Sequence, residues 1–134
     1  MATELDIRAI LIGFATMFGL AFLMAFALSI APLIIPLHSF PTGERLRKDV
    51  SVFLFIQELI CQFSGGFVTG WLAKRDQVKN AFALVVLDLV LARITTLFAP
   101  SGPILPLLMD IMMRAVLILC GAYLAKLAFR RMGL

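Results

Sequence analysis

The sequence predicts an all-α integral membrane protein: four transmembrane helices in an up-and-down antiparallel bundle, with both termini on the cytoplasmic side. Three observations lead there. Of 134 residues, 62% are apolar and 15% charged, and the mean hydropathy is +1.04, more apolar surface than a water-soluble domain carries. The apolar residues gather into four runs, each near the ~20 residues a helix needs to cross hydrocarbon. The connections between runs are short, which leaves room for a single transmembrane domain over residues 1–134.

The first helix is expected from about Ala9 to Ile35, with Pro32 and Pro36 near its end, where they can kink or unwind the last turn. Ala25-Phe26-Ala27 has the small-x-small form of a signal-peptidase site, but Glu4 and Asp6 stand beside a single Arg8 and the apolar run continues to Leu37, so the segment reads as a retained span. The second helix is expected from Val52 to Leu72, behind Asp49 and Ser51, both competent to cap its first turn. The third runs from Ala81 to Ala99 with Asn80 as its cap. The fourth runs from Ile104 to Leu127, entered through the turn Pro100-Ser101-Gly102-Pro103, with Pro106 in its first turn. Connections of about 16, 8 and 4 residues make the second, third and fourth helices successive hairpins. The longest, from Leu37 to Ser51, has the polarity to lie along a membrane surface and carries the only histidine, His38, which reads as a solvated loop residue.

A net charge of +4 would raise nucleic acid as a partner in a soluble protein. Here the cations cluster at the ends of apolar runs, no stretch interleaves them with exposed aromatics, and they read as topology signals. One side receives seven cations: Arg8, Lys74, Arg75, Lys79, Lys126, Arg130 and Arg131. The other receives three, Arg45, Arg47 and Lys48. The richer side is expected to be cytoplasmic, and Trp71 and Tyr123, each three residues before a Lys, serve as interface anchors with Lys74, Arg75 and Lys126. The expected location is a cell membrane, the bacterial inner membrane, with the lipid bilayer as the first partner.

Five charges fall inside the runs: Glu58, Asp88, Arg93, Asp110 and Arg114. Each would cost roughly 2.5–3.5 kcal/mol near the middle of an isolated transmembrane helix, so they must meet one another, water or another protein. If the third and fourth helices fold back about Ser101-Gly102, Asp88 stands level with Arg114 and Arg93 with Asp110. If the second and third fold back about residues 75 to 76, Glu58 stands level with Arg93. Asp110 and Arg114, four apart, share a helical face, whereas Asp88 and Arg93, five apart, are separated by about 140°. Asp88 is therefore expected to meet the fourth helix, and Arg93 to reach Glu58, sharing Asp110 only by swinging. Three acids against two bases leave one negative charge unless one acid holds a proton.

The second helix carries a polar and small-residue stripe, Glu58, Gln62, Gly65 and Thr69, and beside it Gly66 and Gly70 form a GxxxG that permits close helix approach. Laid on the fourth helix at an offset of 52, it matches Glu58 to Asp110, Trp71 to Tyr123, and Leu72-Ala73-Lys74 to Leu124-Ala125-Lys126, a faint repeat. Cys61 and Cys120 lie at different depths on that alignment and read as packing residues. No residue pattern names a reaction, a metal or a cofactor. The reading that follows is an accessory, assembly or stabilising subunit of a larger membrane complex, with other membrane subunits or a second copy as partner and no nucleic acid. The alternative is a small oligomeric transporter or channel that uses its intramembrane carboxylates for proton or ion coupling.

Overall fold

The computed structural model describes the backbone of residues 5–34, 44–73, 76–96 and 104–132, and the side chains of 5–31, 48–73, 76–94 and 107–132. The described residues form four α-helices and no strand: α1 (Ile7–Ile34), α2 (Glu44–Leu72), α3 (Gln77–Thr96) and α4 (Ile104–Met132). Three of them, α1, α2 and α4, contain stretches long and apolar enough to cross a membrane. The fourth, α3, is apolar over most of its length, but every 18-residue stretch of it includes Lys79, Asp88 and Arg93.

Helix ends differ from expectation where polar residues continue a helix instead of stopping it. α2 begins at Glu44, two turns before Val52, so Asp49 and Ser51 lie inside the helix and do not cap it. The added turns are Glu-Arg-Leu-Arg-Lys, residue types of high helix propensity that hydropathy alone does not detect. α3 starts at Gln77, after Asp76, whose backbone adopts a left-handed φ of 52°. Asn80 is therefore no cap. It is buried, its side-chain oxygen accepts from the Asp6 amide at 2.8 Å, and its side-chain amide donates to the Asp76 carbonyl at 3.3 Å. Asp6 in turn caps α1, accepting from the Ala9 amide at 3.2 Å. α4 continues past Leu127 through Arg130 and Arg131 to Met132. His38 and the turn from Pro100 to Pro103 lie outside the described residues.

Consecutive helices run antiparallel, as the short connections predict, but the cross-section is not a square. α2 is central, packing most extensively on α4 and next on α1, while α3 bridges the group and α1 scarcely touches α4. Small residues build that centre. A Cβ on Gly66 would run into the Ile118 backbone, one on Gly70 would stand 2.7 Å from the Cα of Ala122, and one on Gly121 would meet the backbone of Phe63 and Phe67. Gly66 with Ile118 and Gly70 with Ala122 advance together by four residues, so α2 and α4 are parallel at the offset the faint repeat showed. The neighbouring face of α2, about 100° round the helix, meets α1 in the same manner, with Gly65 against Met17 and Gly13 against Thr69. Ile10, Met17, Ala81, Leu84, Val85, Ile118 and Ala122 form the buried apolar core.

Candidate functional site

Arg114 of α4 is the hub of the polar interior. Its Nε donates to Asp110 Oδ2 at 2.9 Å one turn back on the same helix. Its Nη1 lies 3.6 Å from Asp88 Oδ2 on α3, and its Nη2 pairs with Glu58 Oε1 on α2. Helical side chains lean towards the N-terminus of their own helix, so a residue placed level with Asp88 reaches back to the level of Asp110 and Glu58 as well. Three carboxylates from three helices thus address three nitrogens of one planar guanidinium, an arrangement that a lysine ammonium does not reproduce.

The expectation for Asp88 is met: it faces Arg114. The expected pairing of Arg93 with Glu58 is corrected, because Glu58 makes its ion pair with Arg114. Two features of the fold explain the difference. The glycines bring α2 and α4 so close that an arginine of α4 spans the gap, and Arg93, about 140° round α3 from Asp88, sits at an exposed position.

Beside the hub, a cleft of about 330 Å³ opens between the helices. Met17, Phe18 and Ala21 of α1 and Leu54 of α2 supply apolar wall, and Gln57, Glu58, Gln62, Asp88 and Arg114 supply polar groups. Gln62 and Asp88 are each only 4% exposed, and Gln62 Nε2 lies 3.4 Å from Asp88 Oδ2. Gln57 Nε2 donates to the Ala21 carbonyl at 3.0 Å. The amide oxygens of both glutamines are buried and have no hydrogen-bond donor among the described residues. Among those residues, no group of three or more His, Cys, Asp and Glu is placed to hold a metal ion.

The rest of the predicted stripe divides by face: Gln62 turns to α3, Gly65 and Thr69 to α1, and Gly66 and Gly70 to α4. Trp71 closes the end of α2 with its ring 5.7 Å from Phe67 and 4.7 Å from Phe129 of α4. Tyr123 is exposed and Lys126 partly buried, while Lys74 and Arg75 lie outside the described residues. Both thiols are free, Cys61 buried in the cleft wall and Cys120 exposed.

Gln57 and the α1 side of the cleft were not legible beforehand. The available signal was the adjacency of Gln57 and Glu58, which places amide and acid about 100° apart on one helix and so towards two different neighbours. Comparison with known proteins finds no family model, no curated protein and no solved structure that matches this chain.

Proposed function

We propose that the chain is a small multi-pass membrane carrier, inserted as a four-helix unit with both termini cytoplasmic, and that Glu58, Asp88 and Asp110 form its proton- or ion-coupling centre. One observation carries this reading: three carboxylates share a single arginine at the edge of a cleft. A charge group that served only to lock helices together would be expected to balance its acids with bases. An excess of acid beside an accessible space instead calls for a mobile positive charge, which is the working part of a coupled carrier. The reading is of binding and movement, without bond-making chemistry.

Reconstitution tests it. Purified protein in liposomes is expected to give pH-coupled flux that Glu58→Gln and Asp88→Asn abolish. Protein that inserts and folds yet moves nothing across a gradient of protons or small ions overturns it.

The second reading, an accessory or assembly subunit, is favoured by α1. Phe18, Phe22 and Phe26 recur every four residues along it and are exposed, a stripe suited to a further transmembrane helix. Gentle extraction followed by identification of bound proteins would then recover a stoichiometric membrane partner.

A further inference from the structure

The cleft is specific about what it can hold. Its polar wall offers two amide oxygens, from Gln57 and Gln62, that are buried without a donor, and two carboxylates, Glu58 and Asp88, that share one guanidinium with Asp110. A buried acceptor without a partner costs free energy until a donor arrives, so the wall is built to receive N–H or O–H groups. Acids outnumber the cation around Arg114, so the visitor is positive or neutral and not an anion. The remaining wall, Met17, Phe18, Ala21 and Leu54, is apolar. A bare metal ion would leave that surface uncovered, and among the described residues no group of three or more His, Cys, Asp and Glu is placed to hold one. A volume of about 330 Å³ falls at the low end of small-molecule pockets, which run from about 300 to 1,000 Å³.

We infer that the cleft between α1, α2 and α3 is a binding site for a small organic cation that carries its own N–H donors, a protonated primary or secondary amine on a short apolar body. The ammonium hydrogens go to the amide oxygens of Gln57 and Gln62, the positive charge faces Glu58 and Asp88, and the apolar body lies on Met17, Phe18 and Leu54. A quaternary ammonium of equal charge leaves the amide oxygens unpaired, so the site discriminates by hydrogen-bond donors as well as by charge. This inference rests on the carrier reading for its physiological meaning, but the binding is measurable without any transport.

The test is calorimetric titration of full-length protein in lipid nanodiscs with three probes of one shape: benzylammonium, benzyltrimethylammonium and benzyl alcohol, with empty nanodiscs as blank. Benzylammonium is expected to bind at least tenfold more tightly than either of the others. Gln62→Leu is expected to weaken it at least tenfold and to reduce the preference over benzyltrimethylammonium. Because Gln62 also bonds Asp88, Gln57→Leu and the cleft-filling Ala21→Trp are measured beside it, each checked for a native melting transition, and both are expected to weaken benzylammonium while leaving the fold intact. Equal affinity for the two cations, unchanged affinity in all three variants, or no saturable binding to folded protein overturns the site. Proton or ion flux that persists and depends on Glu58, with no amine binding, removes this inference and keeps the carrier reading. Amine binding without flux does the reverse.

Discussion

At the scale of single residues, Arg114 is the side chain on which most depends. Glu58, Asp88 and Asp110 each find a cation in it, so its removal strands three acids at once, two of them largely shielded from solvent. Replacing one partner of a buried ion pair costs about 3–5 kcal/mol, because an uncompensated charge is left behind. Arg114→Met is therefore expected to lower unfolding stability by at least that amount in mild detergent, as read from denaturant titration. The sign of a second change identifies the cause. Glu58→Gln in the Arg114→Met background should recover part of the loss, since it removes one stranded charge and leaves the shape nearly unchanged, whereas Glu58→Gln alone should destabilise. If the double variant is no better than Arg114→Met, packing and not charge is what Arg114 supplies. Four of the five charges expected in this centre do meet there, because ionisable groups inside apolar runs have few places to go, while the fifth, Arg93, sits at an exposed position apart from it. Which arginine would be its hub was not legible in the sequence, because depth along a helix follows from residue number, whereas the reach of a guanidinium depends on how closely two helices approach.

That closeness is a property of the elements. α2 serves three neighbours with three faces, and its three glycines are committed to different partners: Gly66 and Gly70 to α4, Gly65 to α1. A methyl group on Gly66 would strike the backbone of Ile118, which cannot rotate away as a side chain can. Gly66→Ala is thus expected to destabilise by about 1–3 kcal/mol, the cost typical of overpacking, in spite of alanine's better helix propensity. Gly19 is the internal control, since a Cβ there meets nothing within 4 Å; Gly19→Ala should be neutral or stabilising by about 0.4–1 kcal/mol. Thermal melts of the two variants against the parent decide it, and equal losses would mean that the α2–α4 contact is looser than its geometry. Apolar runs showed the four elements and GxxxG showed a close contact, but neither revealed that α2 and α4, separated in the chain by α3, are the principal pair. That pairing is written in the offset of 52, which has a physical reason once Gly66 is seen against Ile118 and Gly70 against Ala122: parallel helices at equal depth meet the same environment residue by residue.

For the whole molecule, the decisive matter is whether α3 crosses with the others, because three spans put the termini on opposite sides and four put them together. Composition favours three, and the fold favours four. Asp6 at the start of α1 bonds Asn80 at the start of α3, and Trp71 at the end of α2 packs at a tilt against Phe129 near the end of α4. Those four residues share one end of the bundle, so α3 leaves that end beside α1, and its 20 residues rise about 30 Å, the thickness of the hydrocarbon layer. Of the three charges that make α3 poor as a lone span, Asp88 lies against Arg114 and Gln62, Lys79 sits at the terminal turn beside Asp76 at 3.6 Å, and Arg93 stands in the last turn of α3, where a long side chain can reach the interface. The same end carries Arg8, Lys126, Arg130 and Arg131, and the positive-inside rule is the ground for the proposal that it faces the cytoplasm. Two measurements follow from this. Reporter fusions at the N- and C-termini should both report a cytoplasmic location. The α3 segment placed alone in a host protein should insert poorly, and insertion should rise when α4 is added behind it and fall again with Arg114→Met. A C-terminus on the far side would leave α3 outside the membrane and separate Asp88 from Arg114, and with that contact would go the shared-arginine centre from which the carrier reading is drawn.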